Sequence, residues 1–227
     1  GRALRAFEQE VSNSVDSSLF VSTNEADLFI SQVELNKPGT VQALFNGVDT
    51  VKFDPNLSYE SPFNGKEKTI VFTGAMDYWA NIEAVVWFCE NVWPKVKSQC
   101  AEAKFYIVGS KPSDEVKALV KFDDVVVTGF VDEVLPYLSY ASLCVAPLRI
   151  ARGIQNKVLE ALAMEKVVIA TPQAMEGILG FSNSNHVATV CESPEAYAEK
   201  IVAQLTGSES GRVPAARNYV QENFSWE

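Results

Sequence analysis

The stretch "SLCVAPLRIARGIQNKVLEALAMEKVVIATP", Ser142–Pro172, decides how the rest of the chain is read. Its first and last runs, "SLCVAPL" and "KVVIATP", are almost wholly apolar and contain several β-branched residues, the mark of strands buried on both faces. Between them "IQNKVLEALAM" has helical spacing, with Ile154, Val158, Ala161 and Leu162 on the flank that would face a sheet. Strand, helix, strand in this order is the right-handed βαβ unit of a parallel sheet.

The same alternation repeats outward. "TIVFTG", "AKFYIVG" and "DVVVTG" read as further buried strands and "HVATV" as a weaker one. They are separated by "NIEAVVWFCENVWPKVKSQC", "SDEVKALVK" and "DEVLPYLSYA", and followed by "SPEAYAEKIVAQL", all with helical spacing; Pro94 and Pro136 are expected to break or bound their segments. The expected fold class is therefore α/β, a Rossmann-like doubly wound parallel sheet. Such sheets bind ligands beyond the carboxyl ends of their strands, where Gly74, Gly109, Gly129 and Pro147 fall. The first 40 residues differ: two helical patterns around one strand, "SSLFVS", are too little to form a core, so this part must pack on something else. "NLSYESPFNGKEK" reads as an exposed connector.

The formal net charge of -10 argues against a nucleic-acid partner or general attraction to an anionic membrane, so any anion site must be local. No run of 18 apolar residues suggests a spanning helix, and no basic-then-apolar leader is visible. Cys89, Cys100, Cys144 and Cys191 are widely spaced and form no C-x-x-C pair, which fits reduced core thiols in a cytoplasmic protein. His186, the sole histidine, leaves no nucleophilic triad to assemble, and no cluster has metal-ligand spacing, so no metal or cofactor is expected. A G-x-G-x-x-G signature is missing, which argues against a dinucleotide enzyme.

The start of the helix in the opening stretch is where an anion would sit. Gly153, Asn156, Lys157 and Glu160 fall within one arc of roughly 100° on a helix of 3.6 residues per turn. A helix start offers unpaired N–H groups and a partial positive charge, and Gly153 lets an anion approach the backbone. Arg149, Arg152 and Lys157 add cations suited to a diphosphate, while Glu160 can accept two hydrogen bonds from the vicinal hydroxyls of a ribose. The competing reading is a plain surface ion pair between Lys157 and Glu160.

Together these residues carry a resemblance. "PLRIARGIQNKVLEALAMEKVVIATPQAMEGI" is similar to the nucleotide-sugar-binding segment of retaining glycosyltransferases of the GT4 group and the GT-B fold, more narrowly to bacterial sugar transferases of exopolysaccharide or PEP-CTERM systems. "FNGVDTVKFDP" resembles the family's interdomain linker, "VFTGAMDYWANIEAVVWF" its first strand and helix, and "NFSWE" the start of its closing segment. The resemblance implies a donor-binding C-terminal domain over residues 41–227, with 1–40 as a remnant of the acceptor-binding domain and its linker. It implies a nucleoside diphosphate sugar, most simply a UDP-sugar, as donor. The acceptor, a saccharide or a lipid-linked molecule, would be held by the missing domain, through which peripheral membrane association would also come, and the chain alone would be inactive. Alternatives are a non-catalytic nucleotide-binding module and a nucleotide-sugar epimerase on the same fold.

Two departures stand out. Arg152 occupies the place, eight positions before Glu160, where the family often has a glutamate contacting the donor sugar. After Gly74 the family often carries an Arg and a Lys, where this chain has "AMDYWAN"; Arg149, Arg152 and Lys157 would make up the missing charge. By the same resemblance Gly74, Met76, Gly109, Ser110, Phe130, Val131, Ile154 and Asn156 border the base and phosphates, and Glu176 of "AMEGI" touches the sugar. Met76, Tyr78 and Trp79 either line a sugar or base cleft or plug a domain interface, alternatives that share one composition.

Overall fold

The computed structural model describes residues 2–37, 39–65, 67–151, 153–178, 187–207 and 211–226. It separates into two compact units, Gly1–Gly47 and Val48–Glu227. The first holds α1 (Arg2–Ser14), β1 (Ser18–Phe20), α2 (Thr23–Ile30) and β2 (Val41–Ala43). Val41–Ala43 pairs in parallel with Ser18–Phe20, which joins it to the first unit. Among its described residues only Ala26 and Val41 are buried hydrophobics, while Leu4, Phe7 and Val11 are exposed along α1 and Val15 just beyond it. This unit has no core of its own.

The second unit runs β3 (Lys68–Thr73), α3 (Trp79–Trp87), α4 (Trp93–Lys97), β4 (Ala103–Val108), α5 (Asp114–Lys117), β5 (Val125–Gly129), α6 (Leu135–Tyr140), β6 (Leu143–Ala146), α7 (Asn156–Ala163), β7 (Val168–Ala170), α8 (Pro172–Met175), β8 (Thr189–Val190), α9 (Pro194–Thr206) and α10 (Pro214–Phe224). Its six strands form one parallel sheet in the order β5-β4-β3-β6-β7-β8. The chain winds outward from β3 to β5, returns to place β6 beside β3, and winds outward the other way, which is the doubly wound Rossmann order. β6 and β7 are buried throughout and β3 and β4 nearly so, as expected for strands covered on both faces. The weak "HVATV" run supplies only two edge-strand residues, and His186 lies outside the described residues.

Pro94 bounds its segment, standing in the first turn of α4. Between α3 and α4 the backbone widens into a π-helical stretch, Phe88–Val92, in which the Trp93 N–H reaches the Phe88 carbonyl five residues back. The wider turn accommodates a proline whose ring would crowd the carbonyl four residues before it. Pro136 sits in the first turn of α6, where its missing N–H costs nothing. The core gathers Phe72, Phe88, Trp93, Phe105 and Tyr197, with the Trp93 Nε1 donating to the Asp123 carbonyl at 2.9 Å. All four cysteines are free and buried. Arg217 of α10 donates to the carbonyls of Thr50, Phe53 and Ala163, tying the linker to the end of α7. The helix that carries the charged start is therefore anchored at its far end.

Candidate functional site

In a sheet of this order the crevice opens where the winding reverses, beyond the carboxyl ends of β3 and β6. A cavity of about 490 Å³ lies there, bounded by the loops after β3, β4 and β5 and by the first turns of α7. The β3 and β4 loops touch: a Cβ on Gly109 would stand 1.7 Å from the Gly74 carbonyl oxygen, which no side chain survives. A Cβ on Gly74 would come 3.1 Å from the Lys157 ammonium and 2.8 Å from the Asn81 amide nitrogen. Glycine at 74 and 109 is what keeps the cavity floor open.

α7 begins at Asn156, and Gln155 at its N-cap makes no side-chain hydrogen bond to the helix start. Within the first turn Lys157 points back to the sheet. Its Nζ stands 4.4 Å over the Phe72 ring and donates to the Asn81 Oδ1, while the Asn81 Nδ2 donates to the Ala75 carbonyl at 2.9 Å. Both of these contacting partners are neutral, so they fix the position of the ammonium without placing a countercharge against it. Burial pushes the Lys157 pKa down to about 8, with Glu160 opposing. Burial likewise pushes the Glu160 carboxyl up to about 7 against the pull of Lys157 and Lys52. No ion pair within 4 Å joins Lys157 to Glu160, so the plain surface pair is not what this helix start holds.

Nine of the residues expected at the site line this one cavity: Gly74, Gly109, Ser110, Phe130, Val131, Ile154, Asn156, Lys157 and Glu160. Phe130 is 74% exposed, a flat apolar face held out beside the opening. Gly153, at φ 65° in the left-handed region, turns the chain into α7 but is buried against Gly177, whose own Cβ would meet the Gly153 carbonyl at 2.7 Å. The same contact brings the turn that carries the exposed Glu176 against the start of α7, although Glu176 does not line the cavity. Met76 is fully buried beneath the cavity floor: its N–H donates to the Ser110 carbonyl at 2.8 Å, and its own carbonyl accepts from Ser113.

Arg149 faces elsewhere. Its Nε donates to the Glu83 Oε1 at 2.7 Å, its Nη2 binds the same oxygen, and the guanidinium lies 5.5 Å over the Trp87 ring. The carboxylate neutralises it outside the cavity. Arg152 lies outside the described residues. Sequence reading missed Asn81, 6% exposed, which holds Lys157. A signal was there: Asn81, Ala84, Val85 and Phe88 form an i, i+3, i+4, i+7 stripe, and a polar residue in a buried stripe needs a partner.

Among the described residues no three His, Cys, Asp or Glu side chains gather as metal donors, and no helix is long and apolar enough to cross a membrane. The family described as Glycosyl transferases group 1 matches residues 67–206. No curated protein matches the chain. Among solved structures, a glycosyltransferase from Rickettsia africae is similar at TM-score 0.76 and 19% identity, over 99% of this chain and 63% of the other. Sucrose-phosphate synthase from Thermosynechococcus elongatus gives 0.73 and 18%, over 100% and 58%. Anabaena HepE in complex with UDP and glucose gives 0.76 and 13%, over 99% and 64%. The chain spans less than two thirds of the length of these proteins.

Proposed function

The chain belongs to the group 1 glycosyl transferases, and from that premise we propose that Val48–Glu227 is the donor-binding half of a two-domain GT-B enzyme of the GT4 type, with Gly1–Gly47 belonging to its acceptor-binding half. The donor is a nucleoside diphosphate sugar, in the first place a UDP-sugar; the similar structure of Anabaena HepE in complex with UDP and glucose supports this choice of base. The acceptor is a saccharide or lipid-linked molecule, transfer retains the anomeric configuration, and the setting is cytoplasmic synthesis of a polysaccharide or glycoconjugate, the exopolysaccharide or PEP-CTERM systems being those whose transferases its sequence resembles.

The observation that carries the reading is the cavity at the winding reversal, in which a buried cation held by neutral partners and a carboxylate with no ion-pair partner among the described residues stand on one helix face. A diphosphate fits between the Lys157 ammonium and the start of α7, where the helix dipole adds to the charge. In glycosyl transfer from such a donor, negative charge grows on the leaving diphosphate, and a fixed cation in a half-closed site stabilises it without reorganisation. Glu160, deeper along the helix, takes the ribose hydroxyls; the exposed Phe130 and Val131 border the base. Glu176 and Arg152 are the candidates for contact with the sugar.

Thermal stabilisation by a nucleotide panel tests the reading, since a ligand that binds only the native state raises stability by RT ln(1 + [L]/Kd). UDP is expected to stabilise most and uridine less. Stabilisation by GDP or ADP without UDP would overturn the base assignment; no response to any nucleoside diphosphate would overturn the donor site.

A further inference from the structure

A second cleft, of about 620 Å³, lies on the other flank of α3 from the donor cavity. Trp79, Glu83 and Trp87 follow one another at four-residue intervals and share a face, whereas Asn81 is turned about 200° from Trp79 toward Lys157. The loop from β6 to α7 reaches both sites, giving Arg149 to the cleft and Ile154 to the cavity.

The cleft has the chemistry of sugar recognition. The Trp79 indole is 54% exposed, offering a flat apolar face without a hydrogen-bonding demand across it. One turn on, Glu83 gives a single oxygen to both Arg149 contacts, and its Oε2 is buried with no hydrogen-bond partner. A buried acceptor left unmatched is costly, and a ligand hydroxyl would satisfy it once the Glu83 side chain turns to present that oxygen to the cleft. Asn91 adds an amide to the same lining. Glu83, Glu90 and Glu115 outnumber Arg149, so the field disfavours phosphate and carboxylate and favours a neutral polyhydroxyl ligand.

We infer that this cleft is a saccharide-binding subsite that holds a neutral sugar of the acceptor or growing chain, stacked on Trp79 with a hydroxyl donating to Glu83. The inference rests on the reading of Val48–Glu227 as a donor domain. It adds that this domain also grips the carbohydrate to be extended, one helix width from the donor.

The test is saturation-transfer NMR and tryptophan fluorescence of the 227-residue chain with cellotetraose, maltotetraose and chitotetraose, and with glucose 6-phosphate as the charged control. At least one neutral tetrasaccharide should bind while the phosphate sugar does not. Trp79→Ala should weaken that binding about tenfold, as loss of a stacked aromatic face implies, with Trp79→Phe recovering part of it. UDP affinity, measured on the same samples, should be the same in both variants. Failure of all three tetrasaccharides with UDP still bound would remove the subsite alone, and so would saccharide binding that survives Trp79→Ala; failure of UDP as well would remove the donor-site reading beneath it.

Discussion

Two cations of the same loop-helix segment meet opposite fates. Arg149 finds a carboxylate, Glu83, and stacks over Trp87; Lys157 finds an amide, Asn81, and the face of Phe72. Both side chains are held in place, but only the second keeps its charge for something else. Burial depresses the Lys157 pKa toward 8, so the fold holds an ammonium where its charged form is disfavoured. A structural cation would be given a carboxylate, as Arg149 is. Holding a charge with neutral partners costs stability and is how a site is kept ready for an anion.

Erasing the difference should have the largest effect. Asn81→Asp would set a carboxylate against Lys157, giving it the partner that Glu83 gives Arg149, and would face the incoming diphosphate with a like charge. UDP binding should weaken by about 3 kcal/mol, the scale of a like-charge contact at an interface. Calorimetry should find uridine affinity nearly unchanged. Equal losses for both ligands would mean that the substitution damaged the fold rather than the charge.

Lys157→Ala removes the cation outright and should cost UDP about 2 kcal/mol, the loss expected for a charged hydrogen bond, with uridine again spared. Glu160→Ala supplies the contrast, because the ribose is common to both ligands and both should weaken alike. If Lys157→Ala weakened UDP and uridine equally, the helix start would not be a phosphate site.

The same charge sets a pH dependence. Lys157 is lowered to about 8 in the ligand-free fold, so it is charged below that pH and neutral above it. A bound diphosphate favours the charged form and raises the pKa, so above about pH 8, where Glu160 is already ionised, UDP affinity should fall, at most roughly tenfold per pH unit. In stability the sign is reversed. A lysine with a lowered folded pKa destabilises the ligand-free chain at neutral pH, and that penalty is relieved as pH rises from about 8 toward the ordinary value of 10.5. Affinity titrated from pH 7 to 10 that stayed flat would exclude Lys157 from the phosphate.

Much of this was legible in the sequence. The parallel sheet could be read because strands covered on both faces lose their alternation, as "TIVFTG" and "SLCVAPL" do. Glycine at strand ends marked the cavity floor at Gly74 and Gly109, and the stripe on α7 put Asn156, Lys157 and Glu160 on one face. The fate of Arg149 was not legible, since it depends on Glu83, 66 residues away, and local spacing places both arginines and Lys157 at one helix start without regard to α3. Met76 was misplaced for a related reason: it follows the β3 strand end, but hydrogen bonds to Ser110 and Ser113 turn it inward. The path through Pro94 followed from a π turn that no residue pattern announces.

Arg149→Ala is the smallest and sharpest case, because the expected effect on UDP is close to nothing. The Arg149 side chain is 53% exposed, already paired and outside the donor cavity, so its removal should change UDP affinity by less than about 0.5 kcal/mol. Stability should fall by about 1 kcal/mol or more, since the Arg149 side of the pair is screened by solvent but Glu83, 24% exposed, loses its partner. The substitution would also free Glu83, which then needs a second partner more than before. A neutral tetrasaccharide that binds the second cleft should therefore keep its affinity or gain slightly. Calorimetry with UDP decides between the two regions: a loss at Arg149→Ala as large as that at Lys157→Ala would mean that Arg149 leaves Glu83 for the diphosphate, and that the two cations belong to one site.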